Sequence, residues 1–351
     1  MAKSHLLTIN SIIRETPEAV SLHFALPESL HSEFTFTAGQ YLTLEADIDG
    51  TPVRRSYSLC STPYSGTLAV VVKEVVDGYF SKFANRQLQV GDSLRVFPPE
   101  GRFTFVPDAY KTAQYVGIVA GSGITPVFSI IQSVLEKEPN SQFLLIYGNK
   151  SPEETIFYKS LEQLKNTYPN RLFVEYVFSR VNEPQAQFGR IDASIINYFV
   201  KNKYRDFKAE RYFVCGPEGL LLTVENTLSN HGISKDQISH ELFSTIDQGS
   251  PIATVKSGDS TRITILLDDE ETTFEMSRSQ VVLDAALDQG IDPPYSCQGG
   301  ICSSCIARVV VGQAEMRKNQ ILTDGEVAEG LILTCQAQPT TDVLKVDYDD
   351  I

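Results

Sequence analysis

The chain has 351 residues, 42% of them hydrophobic and 21% charged, with a net charge of −14. This is the composition of an ordinary globular protein with too much chain for a single core. The charge excludes nucleic acid as the principal partner, because phosphate binding needs the opposite sign.

No apolar run approaches the roughly 20 residues that span a bilayer, and the opening MAKSHLLTINSII lacks the pattern of a secretory signal. A cytoplasmic protein without a membrane partner is therefore expected, in a compartment that keeps thiols reduced. The six cysteines then read as metal ligands or catalytic groups rather than disulfides.

Residues 1–106 alternate short β-type runs with turns: SLHFAL, QYLTLEAD, RRSYSL, TLAVVVKEV and SLRVFP. That spacing predicts an antiparallel barrel or sandwich. Within it, Arg55 and Tyr57 of an R-x-Y-S stretch project to one face of an extended strand. A guanidinium there suits a diphosphate, the phenol suits a ring or ribityl chain, and Ser58 suits a flavin nitrogen. Taken alone, ordinary strand residues account for the stretch as well. About twenty residues on, Asp77–Ser81 (DGYFS) forms a glycine turn with a hydroxyl at a helix start, where phosphate binds readily.

Residues 107–245 change to apolar strand, glycine turn, helix, which predicts a parallel α/β sheet. AGSGITP opens the first helix with Pro126 in its first turn, and Gly121 and Gly123 permit close approach of a pyrophosphate. No Asp or Glu ends the next strand, where a ribose-reading acid would sit; Asn149 and Lys150 stand there instead. Ser179 and Arg180 end the third strand with groups suited to a 2′-phosphate, so NADPH is expected, with NADH also usable. VCGP places Cys215 at another strand end, where a buried packing cysteine is the plain alternative.

Residues 246–260 lack periodicity and read as a linker. Residues 261–351 carry 16 Asp and Glu against 6 Lys and Arg, which either aids solubility or offers a docking face to a basic partner. Two strands, TRITILLD and TTFEMS, precede a helix capped by Ser279 and ended by Gly290, and IARVVVGQAEM reads as one further strand.

Cys297, Cys302 and Cys305 fall at C-x4-C-x2-C spacing, with Cys335 downstream. Structural zinc usually takes two paired-cysteine knuckles, and only Cys302 and Cys305 form a CxxC. The full spacing is that of a plant-type [2Fe–2S] cluster, with two thiolates for each iron. Gly299, Gly300, Ser303 and Ser304 let the loop close around such a cluster.

At these residues the last 90 positions resemble a plant-type ferredoxin domain, which implies a β-grasp α+β fold. The R-x-Y-S and DGYFS motifs together resemble the flavin barrel of the ferredoxin–NADP reductase superfamily. That resemblance implies FAD held by Arg55, Ser56, Tyr57, Ser58, Val72, Lys73, Gly78, Tyr79, Phe80, Ser81 and Phe243. It implies a nicotinamide dinucleotide held by Gly121, Gly123, Ile124, Thr125, Pro126, Ser179, Arg180, Cys215, Gly216 and Pro217. It gives Cys215, Ser58 and Glu241 places at the reacting rings.

The order flavin barrel, nicotinamide domain, ferredoxin is most similar to reductase components of the phenylacetyl-CoA epoxidase type, then to those of ketosteroid hydroxylases. The resemblance implies an NAD(P)H oxidoreductase that passes electrons through FAD and [2Fe–2S] to a partner oxygenase, a diiron one in phenylacetate catabolism. The alternatives are the reductase of another oxygenase (a ketosteroid or other ring hydroxylase), a non-oxygenase acceptor and an iron–sulfur redox sensor.

Overall fold

A computed structural model describes residues 4–243 and 260–351. The linker expected at 246–260 lies outside the described residues except for Ser260. Two compact units are present, one built mainly from residues before 244 and the other mainly from those after 260.

The first unit opens with strands β1 (His5–Thr16), β2 (Ala19–Ala25), β3 (Tyr41–Ile48), β4 (Thr51–Ser58), β5 (Leu68–Lys73) and β6 (Ser93–Val96), with helix α1 (Tyr79–Arg86) between the last two. They pair in the order β4-β3-β6-β1-β2-β5, and a bridge from Leu59 to Val70 brings the end of β4 onto β5. Sequence reading missed β1. Its buried Leu7 and Ile9 alternate correctly, but irregular register after Ile9 and again after Arg14 breaks the period-2 signal. Leu7, Ile9, Leu22, Phe24, Leu42, Leu44, Val70 and Phe80 fill the barrel.

There follow β7 (Gln114–Ala120), α2 (Ile124–Lys137), β8 (Gln142–Asn149), α3 (Tyr158–Thr167), β9 (Leu172–Phe178), β10 (Gln187–Phe188), α4 (Ala193–Asn197), β11 (Arg211–Gly216), α5 (Glu218–Ser229) and β12 (Ile238–Leu242). The strands run parallel in the order β10-β9-β8-β7-β11-β12. The chain therefore reverses its direction of winding between β7 and β11, the place where open α/β sheets leave a crevice at their carboxyl ends. Barrel residues Phe103 and Phe105 meet Phe213 of β11 edge-on, at 6.0 and 5.7 Å between ring centres. One apolar cluster runs from Ala38, Cys60 and Val71 through to Phe128 and Tyr147. Barrel and parallel sheet thus share a core.

The second unit contains β13 (Ser260–Leu267), β14 (Glu270–Ser277), α6 (Val282–Asp288), β15 (Ile306–Val311), β16 (Ala314–Met316), α7 (Asp324–Ala328), β17 (Leu331–Leu333), β18 (Ala337–Pro339) and β19 (Val343–Asp347). Five strands form a sheet ordered β14-β13-β19-β15-β17, beside the β16–β18 ribbon. Parallel pairing of β13 with β19 sits among antiparallel neighbours.

Two local expectations are corrected here. The cap of α6 is Val281, not Ser279, because Val281 and Val282 are both buried and draw the helix start into the core. The stretch 306–316 is two strands, since Gly312 adopts φ +83° and turns the chain after Val311. Gly290 does follow α6 in the left-handed conformation, with φ +74°.

Candidate functional site

The carboxyl ends of β7 and β11 carry the expected dinucleotide residues. Gly121 has φ +55°, and residues 121–123 make a tight helical turn leading into α2. A Cβ on Gly123 would collide with the Cys215 carbonyl, so only glycine lets β7 and β11 approach here. Pro126 lies in the first turn of α2 and Pro217 caps α5, both tolerated where helix N–H groups lack partners anyway. No side chain caps the start of α2; the Ile124 N–H is taken by the Gly121 and Ser122 carbonyls, and the glycine turn before it is the place where a ligand would meet backbone N–H groups. At the end of β8, the buried Asn149 amide nitrogen faces the Tyr147 hydroxyl.

Ser58, Cys215 and Glu241 are brought together, although they lie far apart in sequence. Cys215 and Glu241 are register partners on β11 and β12, and the Ser58 hydroxyl donates to Glu241 Oε2 at 3.2 Å. Burial pushes the Glu241 carboxyl up to about 8, against a smaller downward pull from Ser58. At neutral pH it is therefore mainly the uncharged acid. Burial, with Glu241 adding to it, also drives the Cys215 thiol well above its usual range. Cys215 is therefore held there as the neutral thiol.

Around this corner, Tyr57 and Phe80 hold their rings 5.5 Å apart, and Phe243 closes the wall through its N–H to the Gly216 carbonyl at 3.0 Å. Val72 and Lys73 end β5. Lys73 Nζ lies 3.9 Å from where a Cβ on Gly121 would be, and burial lowers its pKa, with Lys150 as a second cause. On β4, Arg55 donates to the Arg54 carbonyl at 2.7 Å, and Ser56 lies between Arg55 and Tyr57. Gly78 precedes α1, whose first residues are Tyr79, Phe80 and Ser81. The Ser81 hydroxyl is engaged within the turn, accepting from Val75 N–H at 3.2 Å and donating to the Gly78 carbonyl at 3.3 Å. Any phosphate at this helix would meet backbone N–H groups first.

Ser179 and Arg180 follow β9, two strands from β7 and so roughly 10 Å from it. Arg180 is exposed. Arg190, not singled out from the sequence, stands at the neighbouring strand end. Phe188 is the register partner of Phe178, so Arg190 leaves its strand end as Arg180 leaves the neighbouring one. Glu154 was not singled out either. A short helical turn at Pro152–Glu154 returns this carboxylate to 2.7 Å from Lys150 Nζ, with Glu18 of the barrel at 3.8 Å.

In the second unit, all four expected cysteines are buried. Among the described residues, no three His, Cys, Asp or Glu side chains converge as ligands of a single ion would. The thiols instead stand as two pairs, Cys297 with Cys302 and Cys305 with Cys335. The bond from Cys302 and the N–H groups of Gly299, Ile301 and Cys302 pull Cys297 toward the thiolate, while Cys302 is held up as its donor. Gly299 N–H lies 3.3 Å from Cys297 Sγ. Gly300 has φ +71°, and a Cβ on it would approach the Lys318 carbonyl to 2.8 Å. Thr334 donates through both N–H and hydroxyl to the Cys305 carbonyl at 3.0 Å, fixing the two cysteine strands together. Two thiol pairs with inward N–H groups fit a [2Fe–2S] centre, which takes four thiolates and is tuned by hydrogen bonds to sulfur.

Three family models match the chain. The oxidoreductase FAD-binding domain covers residues 6–105, the oxidoreductase NAD-binding domain 118–226, and the 2Fe-2S iron-sulfur cluster binding domain 265–340. The cofactors are accordingly FAD, NAD(P)H and [2Fe–2S]. A subunit of the 1,2-phenylacetyl-CoA epoxidase of Escherichia coli K12 is 36% identical over 99% of both chains. The ferredoxin reductase component of Rhodococcus rhodochrous 3-ketosteroid-9-alpha-monooxygenase is 34% identical, over 99% of this chain and 97% of its own. The solved phthalate dioxygenase reductase shares the fold with a TM-score of 0.61 at 22% identity, over 98% of each chain. No helix among the described residues is long and apolar enough to cross a membrane. With such end-to-end relatives, the chain belongs to the flavin and iron–sulfur reductase components of multicomponent oxygenases, a ferredoxin–NADP reductase unit followed by a plant-type ferredoxin domain.

Proposed function

We propose that this reductase draws electrons from NADPH and supplies a phenylacetyl-CoA epoxidase-type oxygenase with a diiron centre, in the cytoplasm. The observation that carries the partner assignment is the end-to-end match at 36% identity to a component of such an epoxidase. A second reading, a ketosteroid-type oxygenase, is favoured by the 34% match. The six free thiols support a reducing compartment.

When bound, FAD and [2Fe–2S] convert a two-electron hydride donor into single electrons. The chain's own residues position those groups. Arg55 and the N–H groups at the start of α1 would hold the flavin diphosphate, while Tyr57, backed by the buried Phe80, would pack against its ring system. The Gly121–Pro126 turn takes the dinucleotide pyrophosphate, and Arg180 with Arg190 takes the 2′-phosphate. Ser58 and protonated Glu241 supply neutral hydrogen-bonding groups in this corner, and Cys215 would line the place of the nicotinamide. Cys297, Cys302, Cys305 and Cys335 hold the cluster.

Reconstitution tests the partner. The purified reductase, with NADPH, is combined separately with the epoxidase oxygenase component and with a ketosteroid oxygenase, and product is measured. Faster turnover with the ketosteroid enzyme would replace the first reading by the second.

A further inference from the structure

The start of α2 has no side-chain cap, yet its geometry must be kept for a pyrophosphate to meet its N–H groups. A residue below the turn supplies what is missing. Tyr147, on β8, is fully buried. Its hydroxyl donates to the Gly121 carbonyl at 2.9 Å and lies 3.3 Å from the Ile156 carbonyl. The Gly121 carbonyl also accepts the Ile124 N–H, so the phenol and the first helical bond share one acceptor.

The second carbonyl belongs to a constrained loop. Phe157 is left-handed at φ +61°, unusual for an aromatic residue, and its ring stacks on Phe128 of α2 at 4.3 Å. The Phe157 N–H is bound by Glu15 of β1, which also accepts from Ser21. A continuous set of contacts therefore runs from the barrel through residues 156–157 and Tyr147 to Gly121. Burial keeps the phenol protonated at every working pH, so its donor role does not titrate.

We propose that Tyr147 is a positioning residue for dinucleotide binding: its hydroxyl holds the Gly121 carbonyl so that the N–H groups of residues 122 and 123 face the pyrophosphate. This rests on the assignment of the Gly121–Pro126 turn to NAD(P)H. Without the hydroxyl the Gly121 carbonyl is left, among the described residues, with the helix's own first bond. Dinucleotide binding then bears the cost of ordering the turn, while the reacting corner at Ser58, Cys215 and Glu241 is untouched.

The test uses the full-length holoprotein and Tyr147→Phe, which keeps the ring packing. NADPH oxidation with ferricyanide gives KM and kcat, and titration of the flavin absorbance with NADP+ gives Kd. Expected are rises in KM and Kd of about 3- to 10-fold, the range of one neutral hydrogen bond, with kcat within about twofold. Amide exchange at residues 122–124 should also quicken, with β8 unchanged. Tyr176→Phe is the control, because Tyr176 is another buried phenol of the same sheet and bonds Glu162 at 3.0 Å. It should lower the melting temperature without moving Kd. A Tyr147→Phe protein with lower melting temperature but unchanged KM, Kd and exchange at 122–124 would overturn the inference. If the wild type itself shows no NADP+ perturbation and no NADPH oxidation, the assignment of the turn falls, and the inference with it. Should the variant yield too little holoprotein for kinetics, exchange at 122–124 in the wild type decides. Protection that does not increase on adding NADP+ would count against the proposal.

Discussion

Glu241 offers a test of the reacting corner that needs no partner protein. Its carboxyl is desolvated in the corner behind Ser58 and stays protonated to about pH 8, whereas an unfolded glutamate ionises near 4.5. Between these values the native state holds a proton that the unfolded chain has released. Stability from this group is therefore complete below about 4.5 and is lost as pH rises through about 8. Each pH unit in that window costs about 1.4 kcal/mol, so going from pH 5.5 to 8 should remove about 3 kcal/mol. Glu241→Gln keeps a polar partner for Ser58 and has no proton to lose. Flavin-loaded wild type and variant are melted side by side at both pH values, with flavin fluorescence reporting release from the barrel unit. The wild type should lose about 6–10 °C relative to the variant across this range. Equal shifts in the two proteins would mean that Glu241 is already ionised in the native state. The burial argument, and with it the view of Glu241 as a neutral hydrogen-bonding acid, would then be wrong.

Two further outcomes follow from the cysteine pairs and the strand-end arginines. Cys302→Ser should abolish the iron–sulfur absorbance yet leave flavin at one per chain; zinc in place of about two irons in the wild type would end the cluster assignment. Arg180→Ala should shift specificity toward NADH by roughly 1.5–3 kcal/mol in relative kcat/KM; a wild type that already uses NADH better would refute the role given to Arg180.

Where the sequence was legible, a local rule did the work. Alternation of apolar strand, glycine turn and helix gave the parallel sheet because each βα unit closes over a few residues. The cysteine spacing pointed to two thiolates for each iron because the ligand loop is almost continuous. Failures came where several segments must meet. β1 was hidden because its bulges shift side chains between faces. The Ser279 cap was displaced by two valines whose burial outweighs a cap. Ser58 and Glu241 were both named, but their hydrogen bond spans 183 positions, and no spacing rule foretells it. Glu154 shows the same limit. The strand end carries no acid, yet a short turn brings one back to Lys150, so the proposed preference for NADPH has to rest on Arg180 and Arg190 rather than on a missing carboxylate.

The division of cores leads to the last prediction. The barrel and parallel sheet share one apolar cluster, in which Phe103 and Phe105 pack against Phe213. Cutting between them near residue 106 would expose that cluster and should leave neither half folded. Residues beyond 260 fill a core of their own from Ile263, Ile265, Val282, Ala286, Leu344 and Val346. Ending the chain near Ser250 should therefore leave a folded flavoprotein that oxidises NADPH with ferricyanide at close to the full-length rate, because no residue of its reacting corner has been removed. The same fragment should fail to drive the oxygenase, since all four cluster cysteines lie beyond the cut. Adding residues 261–351 back as a separate protein should restore only part of the rate, because covalent linkage supplies a millimolar-range effective concentration that a dilute mixture lacks. A truncated protein that supported the oxygenase as well as the full chain would show that electrons leave directly from the flavin. The paired cysteines would then serve structure or regulation instead of transfer.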